Sequence, residues 1–201
     1  SFGFTLSTCF PLLYNISFVT VPSPLDVKSG LHAIQKERIT FLLGTPTFLR
    51  GFLNKGKSED FESIRYVVAG AEKTESSFKK KWEEFANCSY LEGYGLTETS
   101  PVISFNLPKE GSREGSVGHL FSDIECKTIH PETREDLKVG ESGLLCFRGP
   151  NIFSGYLNDF EKTNEVLTKE NWFVTGDIGY LDQDDFLQIK GRLSRFSKIG
   201  G

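Results

Sequence analysis

Three short apolar runs, each broken by a glycine-containing corner, constrain this chain more than any other feature of its sequence. Ile39–Leu43 ends at Gly44-Thr45-Pro46-Thr47, and Ile64–Ala69 ends at Gly70-Ala71-Glu72. Tyr90–Leu91 runs into Gly93-Tyr94-Gly95-Leu96-Thr97-Glu98. Apolar runs without alternation suit strands buried on both faces, as in parallel sheets. Helix-like segments lie between and around them. Asp26 can cap a helix with Val27, Leu31 and Ile34 on one stripe, and Phe48–Leu53 has helical patterning. Glu75–Phe85 is amphipathic, with Phe78, Trp82 and Phe85 on one face and the solvated Lys79, Lys80 and Lys81 opposite. Ser17–Val21, β-branched and aromatic, reads as a further short strand stopped by Pro22 and Pro24. The alternation predicts an α/β fold, a mostly parallel sheet flanked by helices. Such sheets bind ligands beyond the carboxyl ends of their strands, which is where the three corners fall.

After Gly111 the texture changes. Asp123–Ile129, Gly143–Phe147, Trp172–Val174, Ile178–Leu181 and Phe186–Ile189 read as short strands, with a hairpin turn at Asp182–Asp185 and a short helix at Glu161–Leu167. The chain therefore divides into an α/β subdomain at 1–114 and a small antiparallel β subdomain at 115–190.

The Gly93–Glu98 corner carries the most chemistry. Gly93 and Gly95 let the backbone turn sharply and approach a ligand, and Tyr94 between them offers a flat ring. Thr97 and Glu98 add a hydroxyl and a carboxylate, suited to a phosphate and a hard cation such as Mg²⁺. Twenty-seven acidic against 23 basic residues leave a net charge of −4, so no basic field argues for nucleic acid. Cys9, Cys88, Cys126 and Cys146 lack metal or redox spacing and read as free thiols of a cytosolic protein. His32, His119 and His130 form no ligand pattern. Phe2–Val21 is too interrupted by polar residues and Pro11 for a membrane span and lacks the basic start of a signal peptide. The chain has no Met and opens in mid-pattern, so it is expected to be a piece of a longer protein.

Five motifs in register resemble the adenylate-forming superfamily of acyl-CoA synthetases, luciferases and peptide-synthetase adenylation domains. They are Gly70-Ala71-Glu72, Gly93–Glu98, Gly149–Leu157, Thr175-Gly176-Asp177 and Gly191-Arg192. The wording of Val67–Lys73 and Gly191–Gly200 is most similar to the acyl-acyl-carrier-protein synthetase part of bifunctional 2-acylglycerophosphoethanolamine acyltransferases. The resemblance implies a carboxylate attacking the α-phosphate of ATP to give an acyl-adenylate, then transfer to a thiol. The substrates implied are a fatty acid and acyl carrier protein, or coenzyme A in a long-chain fatty acid ligase. The setting implied is the cytoplasmic face, with inner-membrane association through other domains.

By motif position, Tyr94 would stack on adenine, Gly70 and Ala71 would line adenine and ribose, and Glu72, Gly93 and Gly95 would complete the nucleotide site. Thr97 would contact the α-phosphate, Glu98 would hold Mg²⁺, and Asp177 would accept from both ribose hydroxyls beside a tight glycine turn. Arg192 would reach ribose or phosphate. Residues 191–201 would form a hinge segment toward a C-terminal domain, with Ser194 at the hinge position where the family commonly has Asp or Lys. Lys198 matches a position linked to the thioester step, or is a surface lysine. Gly149–Tyr156 reads as packing the β subdomain against the sheet. Phe2, Phe4 and Phe10 either pack a core or, with Thr45–Phe48, line an acyl tunnel. The family's phosphate-gripping loop and adenylation lysine do not occur among these residues, so the 201-residue piece alone is expected not to form an acyl-adenylate.

Two other classes remain. A phosphotransferase or ATPase would need a G-x-x-x-x-G-K-[ST] loop, which is lacking. A non-catalytic acyl- or carrier-protein-binding module would have no need of both Glu98 and Asp177.

Overall fold

A computed structural model describes residues 2–107 and 113–196. Across the sheet the order is β1 (Phe41–Gly44), β2 (Tyr66–Ala69), β3 (Ser89–Tyr94), β4 (Ser104–Phe105), β5 (Ser116–Leu120), β9 (Phe186–Arg192), β8 (Phe173–Leu181), β7 (Gly143–Arg148) and β6 (Glu125–Ile129). Strands β1, β2 and β3 pair in parallel, as the three apolar runs predict. Every ladder after β3 is antiparallel. Helices α3 (Val27–Glu37), α4 (Pro46–Lys55) and α5 (Ser76–Ala86) share one hydrophobic cluster with Val67, Ala69 and Tyr90. Trp82 and Phe61 meet edge to face at its centre, ring centroids 5.3 Å apart. Val68 and Leu91 alternate with the strand residues of that cluster and are buried too, so both faces of β2 and β3 are covered, whereas Phe41 on the edge strand β1 is exposed.

Several local expectations change. Ser17–Val21 is an exposed non-strand segment, since strand-prone residues form a strand only where a neighbouring strand pairs with them. The first parallel strand begins two residues later than expected. Arg38 ends α3 in the left-handed region and the Ile39 N–H donates to the Ile34 carbonyl, so Ile39 closes the helix. The Phe-rich start forms two short helices, α1 (Phe2–Phe4) and α2 (Phe10–Leu13), joined by a π-turn at Thr5–Cys9. Phe4 and Phe10 are exposed, so neither packs a core.

The antiparallel part contains two strands that patterning missed, β4 (Ser104–Phe105) and β5 (Ser116–Leu120). They join it to the parallel part edge to edge, through β3–β4, β4–β5 and β5–β9 ladders. Strands β6 (Glu125–Ile129) and β7 (Gly143–Arg148) stand where expected. The two runs Trp172–Val174 and Ile178–Leu181 are one strand, β8 (Phe173–Leu181), which turns at Asp182–Asp185 into β9 (Phe186–Arg192). A final short helix, α7, spans Leu193–Phe196.

The short helix α6 (Phe160–Val166) is capped by Asp159, whose Oδ1 accepts from the Lys162 N–H at 3.0 Å. Asp159→Ala should lower stability by about 1 kcal/mol, read as a lower urea midpoint at unchanged slope. A midpoint equal to wild type would mean that this cap does not anchor α6.

Candidate functional site

A cleft of about 1030 Å³ opens beyond the carboxyl ends of β2 and β3 and reaches across to β8 and β9. The corner after β2 contributes Gly70, Ala71 and Glu72, and the corner after β3 contributes Gly93, Tyr94, Gly95, Thr97 and Glu98. Asp177 and Arg192 enter from the antiparallel part. The corner after β1 does not line the cleft. It reaches the site through Glu72, whose Oε2 accepts from the Thr47 hydroxyl at 2.6 Å and from the Thr47 N–H at 3.2 Å. This places a carboxylate at the N-terminal turn of α4, where backbone N–H groups lack intrahelical partners. Of the residues read as core packing or as the lining of a tunnel, Phe2 lines the cleft, its ring lying against Gly70; Phe4, Phe10 and Thr45–Phe48 do not line it.

Thr175-Gly176-Asp177 is not the tight turn its sequence suggests but a bulge inside β8. Leu144 faces Ile178 and Cys146 faces Val174, so Leu145 alone on β7 spans the interval that Thr175, Gly176 and Asp177 fill on β8. Gly176 takes φ +76° there, a conformation that favours glycine. The Thr175 hydroxyl ties the bulge down, donating to the Leu145 carbonyl and accepting from the Asp177 N–H, both at 3.0 Å. The extra residues aim the Asp177 side chain into the cleft, where it is 6% exposed.

Both Asp177 oxygens are engaged. The Tyr94 hydroxyl donates to Oδ2 at 2.6 Å, and Arg192 Nε donates to Oδ1 at 2.9 Å. Arg192 is the register partner of Asp177 across β8 and β9, so strand pairing itself brings the ion pair together. Burial, and then the neighbouring carboxylate, push the Tyr94 phenol well above its usual value, so it remains a donor at physiological pH. Asp177 in turn raises the Arg192 guanidinium. Tyr94 also packs toward Phe147, ring centroids 6.1 Å apart, alongside the cluster formed by Ile103, Ile124, Leu145, Phe147 and Leu187. That cluster holds the end of β3 against the antiparallel strands.

Glu98 lies in the 3₁₀ turn Thr97–Thr99, and its Oε1 accepts from the Tyr156 hydroxyl at 2.7 Å. Burial, then Glu98, push that phenol up to about 12. Among the described residues no group of three or more His, Cys, Asp or Glu is placed to hold a metal. If a nucleotide occupies the cleft, a single carboxylate suits Mg²⁺, which is commonly held by one or two carboxylates plus substrate phosphates.

Sequence reasoning missed four contributors. Gly149–Tyr156 reads as packing, yet it delivers Tyr156 to Glu98. Lys79 and Lys80, assigned to a solvated face, both line the cleft, because α5 runs along its rim. Glu92, the residue before Gly93, lines it as well; burial raises its carboxyl and Lys79 pulls the other way. The Gly93–Glu98 motif stops one residue short of it. Ser194 is exposed on α7, and Lys198 lies outside the described residues.

Residues 1–157 match the family described as AMP-binding enzyme. The chain belongs to the AMP-binding enzyme family. It is 33% identical over 196 residues to a probable CoA ligase, CCL5, of Humulus lupulus, an alignment covering 94% of this chain and 36% of the relative. It is 29% identical over 202 residues to a long-chain-fatty-acid–CoA ligase of Haemophilus influenzae, covering 100% of this chain and 36% of the relative. ATP-bound MatB from Rhodopseudomonas palustris superposes with a TM-score of 0.85 at 29% identity, covering 94% of this chain and 37% of that one. The chain spans a little over a third of the length of these relatives. Tyr94, Glu98, Asp177 and Arg192 meet in one cleft because β4, β5 and β9 lie between β3 and β8 in the sheet.

Proposed function

We propose that the full-length protein carrying this chain is an ATP-dependent acid–thiol ligase that releases AMP. One observation carries the reading: Tyr94, Arg192 and Asp177 form a hydrogen-bonded unit in the same cleft as Thr97 and Glu98. A carboxylate oxygen has two lone-pair sites, so Asp177 can keep Tyr94 and Arg192 and still accept from both ribose hydroxyls. The Tyr94 ring then meets adenine, with Gly70 and Ala71 along the base and ribose. Thr97, exposed at the cleft, contacts the α-phosphate. Mg²⁺ held at Glu98 would offset phosphate charge that otherwise repels the incoming carboxylate. Glu72, held by Thr47, shapes the corner beside the base.

The acid is a fatty acid in this reading, as the name of the Haemophilus influenzae relative suggests. The names of both relatives favour coenzyme A as the thiol. The wording of Val67–Lys73 and Gly191–Gly200 favours the phosphopantetheine of acyl carrier protein, with onward transfer to 2-acylglycerophosphoethanolamine.

The test is pyrophosphate exchange by the full-length protein with ATP and Mg²⁺, run with and without fatty acids. Exchange that depends on the acid, with AMP as product, is expected. ADP as product, or exchange independent of the acid, would overturn the reading. Coenzyme A and holo-acyl carrier protein compared as acceptors then decide the thiol. The 201-residue polypeptide by itself should give no exchange.

A further inference from the structure

The segment Gly149–Tyr156 holds the Glu98 turn at every level. The Phe153 N–H donates to the Glu98 carbonyl at 2.9 Å. Asn151 Nδ2 donates to the carbonyls of Thr99, at 2.7 Å, and Val102, at 3.0 Å. The Tyr156 hydroxyl donates to the Glu98 carboxylate at 2.7 Å. Tyr156 is itself fixed. Its N–H donates to the Thr163 hydroxyl on α6 at 2.9 Å, and its ring meets Phe153 edge to face at 4.9 Å. Lys162 Nζ sits 4.9 Å from the ring centroid.

The backbone bonds and Asn151 fix the turn, but they do not fix the glutamate side chain. A half-buried glutamate has several torsions free to rotate, and the bond from Tyr156 restrains them. We propose that Tyr156 is a positioning residue for Glu98: its phenol takes Oε1, sets the carboxylate's orientation and leaves Oε2 for the Mg²⁺ that accompanies the nucleotide. The proposal rests on the nucleotide-cleft reading given above. Metal-ligating carboxylates are themselves hydrogen-bonded, and losing such a partner weakens metal affinity by about 10–100-fold.

The experiment uses the full-length protein and α,β-methylene-ATP, titrated by calorimetry with excess Mg²⁺ and again with EDTA. Wild type, Tyr156→Phe, Glu98→Gln and the double variant are compared. Tyr156→Phe should lose about tenfold in affinity with Mg²⁺ and change by less than about twofold in EDTA. In the Glu98→Gln background it should cost nothing further with Mg²⁺, because the two residues act as one unit. An equal loss in both media would show that the phenol merely supports the fold and would overturn the proposal, as would an unchanged Mg²⁺ response. A wild type that binds the analogue with no gain from Mg²⁺ would remove the cation site at Glu98, and the proposal with it.

Discussion

Asp177→Ala in the full-length protein should weaken AMP binding by about 10²–10³-fold and lower acid-dependent pyrophosphate exchange by a similar factor. The reason is the number of donors that converge on one buried carboxylate. The Tyr94 hydroxyl loses its charged acceptor and the Arg192 pair disappears, and in the proposed reading both ribose hydroxyls lose their partner. A hydrogen bond to a charged group is worth about 1.5–3 kcal/mol. The Arg192 share is smaller, under about 1 kcal/mol, because its side chain is 55% exposed and solvent screens the pair. Tyr94→Phe separates the contributions: the ring stays and the donor goes, so affinity should fall only several-fold. If AMP binds Asp177→Ala and wild type equally, the ribose site is elsewhere, whatever Tyr94 does.

The depth of that expected loss depends on a piece of structure that the sequence does not spell out. Thr175-Gly176-Asp177 stood out by its residues, and a glycine flanked by small polar residues naturally reads as a turn. Whether such a triplet turns the chain or bulges a strand depends on the register of its neighbour, and Leu145 is 30 positions away in the chain. Strands β2 and β3 were legible because burial on both faces writes a continuous apolar run. Strand β4 was not, because Ser104 and Phe105 alone carry no pattern, and β5 was not, because Gly118 and His119 interrupt it. Both matter for function, since they carry the sheet from Tyr94 to Asp177. The hairpin at Asp182–Asp185 was legible for the opposite reason: its turn chemistry is local, with Asp182 Oδ1 accepting from the N–H groups of Asp184 and Phe186. Tyr156 reaches Glu98 across 58 positions, and neither residue's immediate sequence announces the other.

The second large effect concerns the corner that carries Glu98. A Cβ on residue 95 would stand 2.0 Å from the Pro101 carbonyl oxygen and 2.7 Å from the Val102 Cα. Both are backbone atoms, so no side-chain rotation relieves the clash. The opposing segment cannot drift away cheaply either. The Ile103 N–H donates to the Tyr94 carbonyl at 2.8 Å, Ile103 is fully buried, and Asn151 holds the Val102 carbonyl. Overpacking a well-filled site costs about 1–3 kcal/mol when side chains can adjust, and Gly95→Ala should exceed the upper end of that range. The corner must then open, carrying Thr97 and Glu98 out of register with Asp177, so nucleotide affinity should fall with stability. Gly140→Ala is the fitting control. Gly140 has φ +87° with nothing within 4 Å of an added Cβ, so alanine there meets backbone strain alone, about 1–2 kcal/mol, and leaves AMP binding unchanged. Thermal midpoints and AMP titrations on both variants of the full-length protein make the comparison. A Gly95→Ala midpoint no lower than that of Gly140→Ala would mean that the close approach at Pro101 does not constrain the corner, and that Glu98 is held in place from the Tyr156 side alone.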